Sequence, residues 1–337
     1  MRILLITIWK PRKGGIVTHV ENLISHSRNE FEILTYGNYV DIPVFRALSF
    51  IFSGFFRGIK EEFDVIHAHY AVPQGFLGVL LKKVQRKPLV VTLHGSDITL
   101  LAKGAARQAV KFVLNNSDAV IVVSEFLKRE AVKLGVSEGK IKVIYGGVPA
   151  REEKKEEFQL KGRAVTFVGS LVWQKGVDVL IRAFKGVKEK FPDAELVIIG
   201  DGREKKSLQK LSRELGAEAN FLGYREELGS VLEKSAVLVL PSREEGFGLA
   251  LLEAMAAGVP AVASRVGGIE EIIEHEYNGI LVEKENPEEL AERIMQIFED
   301  EELRKKLIEN GKKTLKKFSW KKMAGEVDAV YEALKNR

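Results

Sequence analysis

Cysteine is absent from the 337 residues, which excludes disulfide frameworks, thiolate metal sites and thiol redox chemistry. No run of about 20 apolar residues exists to span a bilayer as a helix. The opening MRILLITIW is short, and too soon followed by PRKGG, for a secretory leader. These absences predict a cytoplasmic protein. The Gly-x-Gly-x-x-Gly fingerprint is missing after the first strand, which argues against a dehydrogenase. Charge of one sign is not dominant: 52 Lys and Arg against 47 Asp and Glu leave a net charge of +5. The two signs are interspersed as on solvated helix faces, and no basic stretch carries an RNA- or DNA-binding motif, so nucleic acid is not an expected partner. The wealth of Lys and Glu is common in heat-adapted proteins.

The length predicts two domains of about 150 residues, each able to bury a full core. RILLITI reads as a parallel strand buried on both faces. It leads to Gly14 and Gly15 at the start of a helix with the stripe Ile16, Val20, Leu23 and Ile24, where backbone amides can approach an anion or simply make a turn of positive φ. Residues 41–60 form a Phe-rich amphipathic helix. We read it first as a core-packing element and second as a lipid-facing or acceptor-facing surface. DVIHAHY and KPLVVTLHGSD are strands that end in His67, His69 and His94, and Gly95, Ser96 and Asp97 open the next helix. In open parallel sheets ligands lie beyond the carboxyl ends of strands, so three such histidines point to a site. Nothing in their spacing resembles a metal-binding helix. Further strands at AVIVV and KIKVI give a βα sheet of about six strands. A charged stretch without apolar periodicity puts the domain boundary at 148–162.

A second βα series starts with AVTFVGSLVWQKG, where the strand runs into Gly169 and Ser170 and then Gln174, Lys175 and Gly176 precede a helix. AELVIIGDG ends in a glycine loop at Gly200 and Gly202. The densest stretch is PSREEGFGLALLEAMAAG at 241–258, a strand-to-helix crossover. Glu245 and Glu253 bracket Gly246, Phe247, Gly248 and Leu249, and Glu253 lies in an otherwise apolar helix, where an unpaired carboxylate is costly or neutral.

Taken together, Gly14-Gly15, TLHGSD at 92–97, FVGSLVWQKG at 167–176, EEGFGLALLEAMAAGVPAVAS at 244–264, Gly267-Gly268 and Asn278-Gly279 resemble the retaining glycosyltransferases of family 4, the glycogen-synthase and mannosyltransferase-like group, over nearly the whole chain. The resemblance implies an α/β protein of GT-B fold: two facing Rossmann-like domains, residues 1–150 on the acceptor side and 151–319 binding the donor. A cleft lies between them, and a crossing helix at about 320–337 returns to the first. It implies a hexosyltransferase that takes a nucleoside diphosphate sugar, UDP-linked before GDP-mannose, and works by front-face substitution without a metal or other cofactor. Catalytic residues by resemblance are His94, Lys175 and Glu245. Glu245 meets donor-sugar hydroxyls, Glu253 the ribose, and Lys175 the leaving diphosphate. Gly14, Gly15, Gly169, Ser170, Gly246, Phe247, Gly248 and Leu249 complete the donor site, and His19, His67, His69 and Asp97 fall on the acceptor side.

One departure concerns charge. Ser170 stands where many members carry Arg, so either Arg203 or Arg243 supplies the second phosphate cation, or the Ser170 hydroxyl and backbone amides suffice in its place. The acceptor is a sugar, glycolipid or small molecule met through loops near residues 10–20, 38–60 and 67–76, and the Phe-rich helix with the basic balance leans toward peripheral contact with an inner membrane surface. The alternatives are an epimerase of a UDP-linked sugar on the same fold and a non-catalytic nucleotide-sugar-binding protein.

Overall fold

The computed structural model describes residues 1–8, 14–35, 43–99, 104, 106–148, 163–226 and 228–336, of which 43–46 and 99 are described by backbone alone. Most of the expected linker (149–162), the start of the Phe-rich helix (41–42) and parts of the expected acceptor loops (10–13 and 38–42) lie outside them.

The chain forms two compact units, one of Met1–Gly147 with Ser319–Arg337 and one of Val148–Phe318. The first contains β1 (Arg2–Thr7), α1 (Gly15–His26), β2 (Glu30–Thr35), α2 (Pro43–Gly58), β3 (Val65–His69) and α3 (Phe76–Gln85). It continues through β4 (Leu89–Leu93), α4 (Ser96–Thr99), α5 (Ala106–Asn116), β5 (Ala119–Val122), α6 (Glu125–Lys133) and β6 (Ile141–Val143). All pairings are parallel, in the order β2-β1-β3-β4-β5-β6. β3, β4 and β5 are buried along their whole length, which is why they read as unbroken apolar runs. β2, which no apolar run in the sequence marks, is an edge strand, EFEILT, whose residues are mostly half-exposed and whose pattern is correspondingly mixed.

The second unit runs β7 (Ala164–Val168), α7 (Val177–Lys190), β8 (Glu195–Ile199), α8 (Lys205–Glu214), β9 (Asn220–Gly223), α9 (Gly229–Leu232) and β10 (Val237–Leu240). There follow α10 (Leu249–Ala257), β11 (Ala261–Ser264), α11 (Ile269–Ile272), β12 (Ile280–Val282), α12 (Pro287–Glu299) and α13 (Glu301–Thr314). Its parallel sheet has the order β12-β11-β10-β7-β8-β9. The order reverses between β7 and β10, as it does in the first sheet between β1 and β3. At such switch points the following helices leave on opposite faces and a crevice opens beyond the strand ends.

The last helix, α14 (Trp320–Lys335), belongs to the first unit and packs on α1. Its Asp328, 1% exposed, accepts hydrogen bonds from Ser27 Oγ (2.6 Å), the Arg28 backbone N–H (3.1 Å) and Asn29 Nδ2 (2.8 Å). A Cβ on Gly147 would lie 2.1 Å from the Trp320 backbone nitrogen, so only glycine fits where α14 begins.

Candidate functional site

In the second unit the loops after β7 and β10, the two strands at the switch point, are laced together. Gln174 O accepts from the backbone N–H groups of Arg243 (2.7 Å) and Glu244 (3.2 Å). Gly176 sits at φ 62°, and a Cβ there would lie 2.0 Å from Pro241 O, so the Lys175 loop can press against the end of β10 only with glycine at this position. Lys175 Nζ donates to Glu245 Oε2 at 2.5 Å, with the side chains 23% and 10% exposed. Ser242 Oγ donates to the same oxygen at 3.3 Å. The structure thus places Lys175 and Glu245, 70 residues apart, in direct contact.

Behind Glu245 the chain turns into α10. Gly248 caps the helix in the left-handed region (φ 102°, ψ 52°); the Leu251 N–H donates to Gly248 O at 2.9 Å, and the N–H groups of Leu249 and Ala250, ahead of it, have no intrahelical acceptor. The side chain of Phe247 is 5% exposed and meets Phe318 edge to face at 5.7 Å, so it is the backbone of residues 246–249 that is left to meet a ligand. Gly268 packs on this loop, where a Cβ would lie 2.3 Å from Gly246 O, and its N–H donates to Glu245 O at 3.1 Å. Glu253 lies one turn into α10 with Leu251, Leu252, Ala254 and Met255 buried around it. Burial pushes its carboxyl up to about 7, the expected response of a carboxylate set in apolar surroundings.

Arg243 is fully committed to the fold. Its guanidinium makes two 2.8 Å bonds to Asp178, one of 3.0 Å to Glu285 and one of 2.9 Å to Trp173 O, and it stacks on the Trp173 ring at 4.9 Å. With its side chain 8% exposed, it is held by these partners, which leaves Arg203, or the Ser170 hydroxyl with backbone amides, among the expectations for that position. Arg203 is exposed. Its loop lies against that of Ser170: Glu204 N–H donates to Leu171 O at 3.0 Å, and a Cβ on Gly202 would lie 2.3 Å from that oxygen. A Cβ on Gly200 would lie 1.8 Å from Gly169 O.

In the first unit, four of the six histidines gather at the carboxyl ends of β3 and β4. His67 Nδ1 is 2.6 Å from the Tyr331 hydroxyl and Nε2 is 2.7 Å from Thr92 Oγ1. His69 Nδ1 is 2.9 Å from His94 Nε2, and the two rings stack at 5.2 Å. His19, from α1, sets its ring edge to face against His94 (5.0 Å) and Trp320 (5.8 Å). His19, His67 and His69 are buried, whereas His94 is partly exposed. Burial lowers His19 to about 4 and, with the His19 imidazole beside it, His67 to about 3. Among the described residues no group of His, Asp or Glu side chains is arranged to hold a metal ion.

Asp97 is buried beneath this cluster and accepts from the backbone N–H groups of Gly95 (2.9 Å) and His94 (3.2 Å), which fixes the turn that presents His94. Its burial pushes the carboxyl up to about 6 against the pull of these bonds. Gly14 caps α1 at φ 128°, with nothing within 4 Å of where a Cβ would stand, and Gly15 is exposed. Sequence reasoning missed Tyr331, Trp320, Asp178 and Ser242. The two aromatics lie over 200 residues from the histidines they touch, and no local pattern marks them.

Residues 150–314 match the family described as glycosyl transferases group 1, and residues 34–152 match glycosyltransferase family 4. An uncharacterised glycosyltransferase of Methanocaldococcus jannaschii is 38% identical over 358 residues, with 99% of each chain covered. The N-acetyl-alpha-D-glucosaminyl L-malate synthase of Bacillus anthracis is 31% identical over 287 residues, 81% of this chain and 75% of that protein. Among solved structures, Anabaena HepE in complex with UDP-glucose matches with a TM-score of 0.81 at 20% identity, over 98% of this chain and 100% of that one. Sucrose-phosphate synthase from Thermosynechococcus elongatus matches with a TM-score of 0.80 at 22% identity, over 99% and 98%. With its two six-stranded parallel sheets and these relatives along its whole length, the chain belongs to the family 4, group 1 glycosyltransferases and is a glycosyltransferase of GT-B fold.

Proposed function

We propose that the chain transfers a hexose from a nucleoside diphosphate sugar, a UDP-sugar before GDP-mannose, to an acceptor hydroxyl with retention at the anomeric carbon. The observation that carries this reading is the meeting of Lys175 and Glu245 at the switch point of the second sheet, beside the open first turn of α10. An ammonium and a helix N-terminus suit a diphosphate, and a carboxylate beside them suits sugar hydroxyls. The solved complexes of HepE with UDP and UDP-glucose support a uridine nucleotide. Relatives named as transferases favour transfer over epimerisation or binding alone.

In the reaction the bond from the anomeric carbon to the diphosphate oxygen breaks, the bond to the acceptor oxygen forms on the same face, and the acceptor proton passes to the departing diphosphate. The chain contributes orientation and stabilisation of developing charge. On donor binding Lys175 exchanges part of its bond to Glu245 for phosphate, which frees Glu245 for the sugar. Lys175, the α10 amides and Arg203 supply the positive charge without a metal ion. Glu253 accepts from the ribose hydroxyls, and His94, in the first unit, meets the donor sugar. The acceptor is a sugar, glycolipid or small molecule, and α2 brings the protein to a membrane surface where such an acceptor resides.

A thermal-shift series with UDP, GDP and their sugars, each with and without a chelator, tests the reading, since ligands of the native state raise its apparent stability. Uridine nucleotides should stabilise most, and equally with chelator. Lys175→Ala and Glu245→Ala should each lower donor turnover by about 100-fold; full activity in both sinks the assignment. Ribose hydroxyls donate to the ionised form of Glu253, so nucleotide affinity should weaken by up to about tenfold per pH unit below about 7.

A further inference from the structure

His69 is completely buried, and the proposed reaction gives it no substrate to touch. One of its ring nitrogens, Nδ1, lies 2.9 Å from His94 Nε2. The other, Nε2, is buried with no hydrogen-bond partner. The groups packed around the ring offer none: His67 lies against it, tilted, at 4.4 Å between ring centres but spends both nitrogens on Tyr331 and Thr92, and His19 lies at 5.6 Å with its own Nε2 buried and unpartnered. Both His69 and His94 are neutral, since burial and the adjacent imidazoles hold each well below the ordinary histidine range.

A neutral imidazole carries one proton, and two nitrogens in contact share one between them. The pair therefore has two forms. In one, His69 Nδ1–H donates to His94 Nε2, His69 leaves a bare lone pair at its orphaned Nε2, and His94 carries its proton on Nδ1. In the other, His94 Nε2–H donates to His69, whose second nitrogen then buries an N–H with nothing to accept it. Orphaned buried N–H groups are the rarer of the two. The first form also leaves His94 Nδ1, which has no partner among the described residues, as an N–H donor on the partly exposed ring.

The geometry points to His69 as a positioning residue that holds His94 in the Nδ1–H tautomer, so that His94 donates a hydrogen bond to a hydroxyl or ring oxygen of the donor sugar. This rests on the reading that His94 meets the donor. The backbone side is fixed by Asp97, which holds the His94–Gly95 turn, so His69 and Asp97 together set both the place and the polarity of one ring.

Long-range 15N–1H correlation spectra of the imidazoles, together with transfer rates, test the proposal in three proteins: wild type, His69→Asn and His69→Leu. The Asn amide can stand where Nδ1 stood and still donate, whereas Leu fills the space without a donor. His94 should show a protonated Nδ1 in wild type and His69→Asn, and a tautomer mixture in His69→Leu. The kcat should fall about tenfold in His69→Leu, with the donor KM little changed, and recover in His69→Asn, as for one hydrogen bond strengthened in the transition state. A wild-type spectrum with His94 protonated on Nε2 overturns the proposal, and this spectrum decides even if a variant does not fold. So does an unchanged tautomer in His69→Leu. A tautomer that shifts while transfer stays at the wild-type rate leaves His69 as the group that sets the ring but removes His94 from the donor sugar, which is the failure of the underlying reading.

Discussion

Arg243 stands two residues before Glu245, and by position alone it is a natural cation for a diphosphate. Its guanidinium is instead spent on Asp178, Glu285 and Trp173, a fork that clamps the loop after β7 to the loop after β10. Lys175, on the loop after β7, keeps one bond to Glu245 and 23% of its side chain open. The motif made Lys175 and Glu245 legible, but the division of labour among cations depended on partners 42 and 65 residues from Arg243. Arg243→Ala leaves Asp178 without its bidentate partner and should cost about 2–4 kcal/mol of stability, read as a lowered denaturation midpoint. Arg243→Lys should recover little, because an ammonium cannot make the paired bonds. Weak nucleotide binding with unchanged stability would restore Arg243 to the phosphate site.

The helix α2 shows what an element's pattern tells and what it leaves open. Its Phe-rich sequence suited both a core helix and a surface one, and the structure gives each reading a face. Phe50 is buried, and Gly54 and Gly58 lie so close to Leu77 and Leu81 of α3 that a Cβ would come within 2.6 and 2.8 Å of them. On the opposite side Leu48, Phe52 and Phe56, spaced one turn apart, are 58%, 70% and 49% exposed. Residues 43–60, 76–87 and 106–116, which include α2, α3 and α5, contain no Asp or Glu. α3 and α5 adjoin through Lys83 over the Phe112 ring at 5.5 Å. An apolar ridge on an acid-free helical layer fits an anionic lipid surface. No helix among the described residues is long and apolar enough to cross a membrane, and the contact proposed above is one with its surface. The chain should sediment with phosphatidylglycerol vesicles at low salt and less at high salt, and Phe52→Ser with Phe56→Ser should weaken this by at least about tenfold. Failure to sediment at low salt would remove the lipid reading.

For the molecule as a whole, buried histidines make acid the weak side of its stability. As pH falls through about 6.5 the unfolded chain takes up protons that His19 and His67, held at about 4 and 3, refuse in the fold. Stability is therefore lost from about pH 6.5 downward. At ~1.4 kcal/mol per unit, His19 alone is worth on the order of 3 kcal/mol by pH 4. Asp97 and Glu253 act in the opposite sense, since their carboxyls, raised to about 6 and about 7, take protons in the fold before they would in the unfolded chain. Two such groups offset only part of four histidines. The unfolding midpoint should drop clearly between pH 7 and pH 4.5, and His19→Leu should flatten that slope. A midpoint independent of pH over this range would show that the cluster is not buried and neutral.

The sequence by itself determined the class of architecture, the family and the loops that carry its chemistry. Doubly buried parallel strands are apolar runs, and strand-to-helix loops that meet ligands need glycine and charge close together, so both are written locally. Only the tertiary structure decided which loops become neighbours. The strand order that sets β7 beside β10 brings Lys175 onto Glu245, and the return of α14 to the first unit puts Tyr331 against His67 and Trp320 against His19. Such contacts depend on the order in which strands join the sheet and on the path of the last helix. Neither leaves a trace in the spacing of residues along the chain.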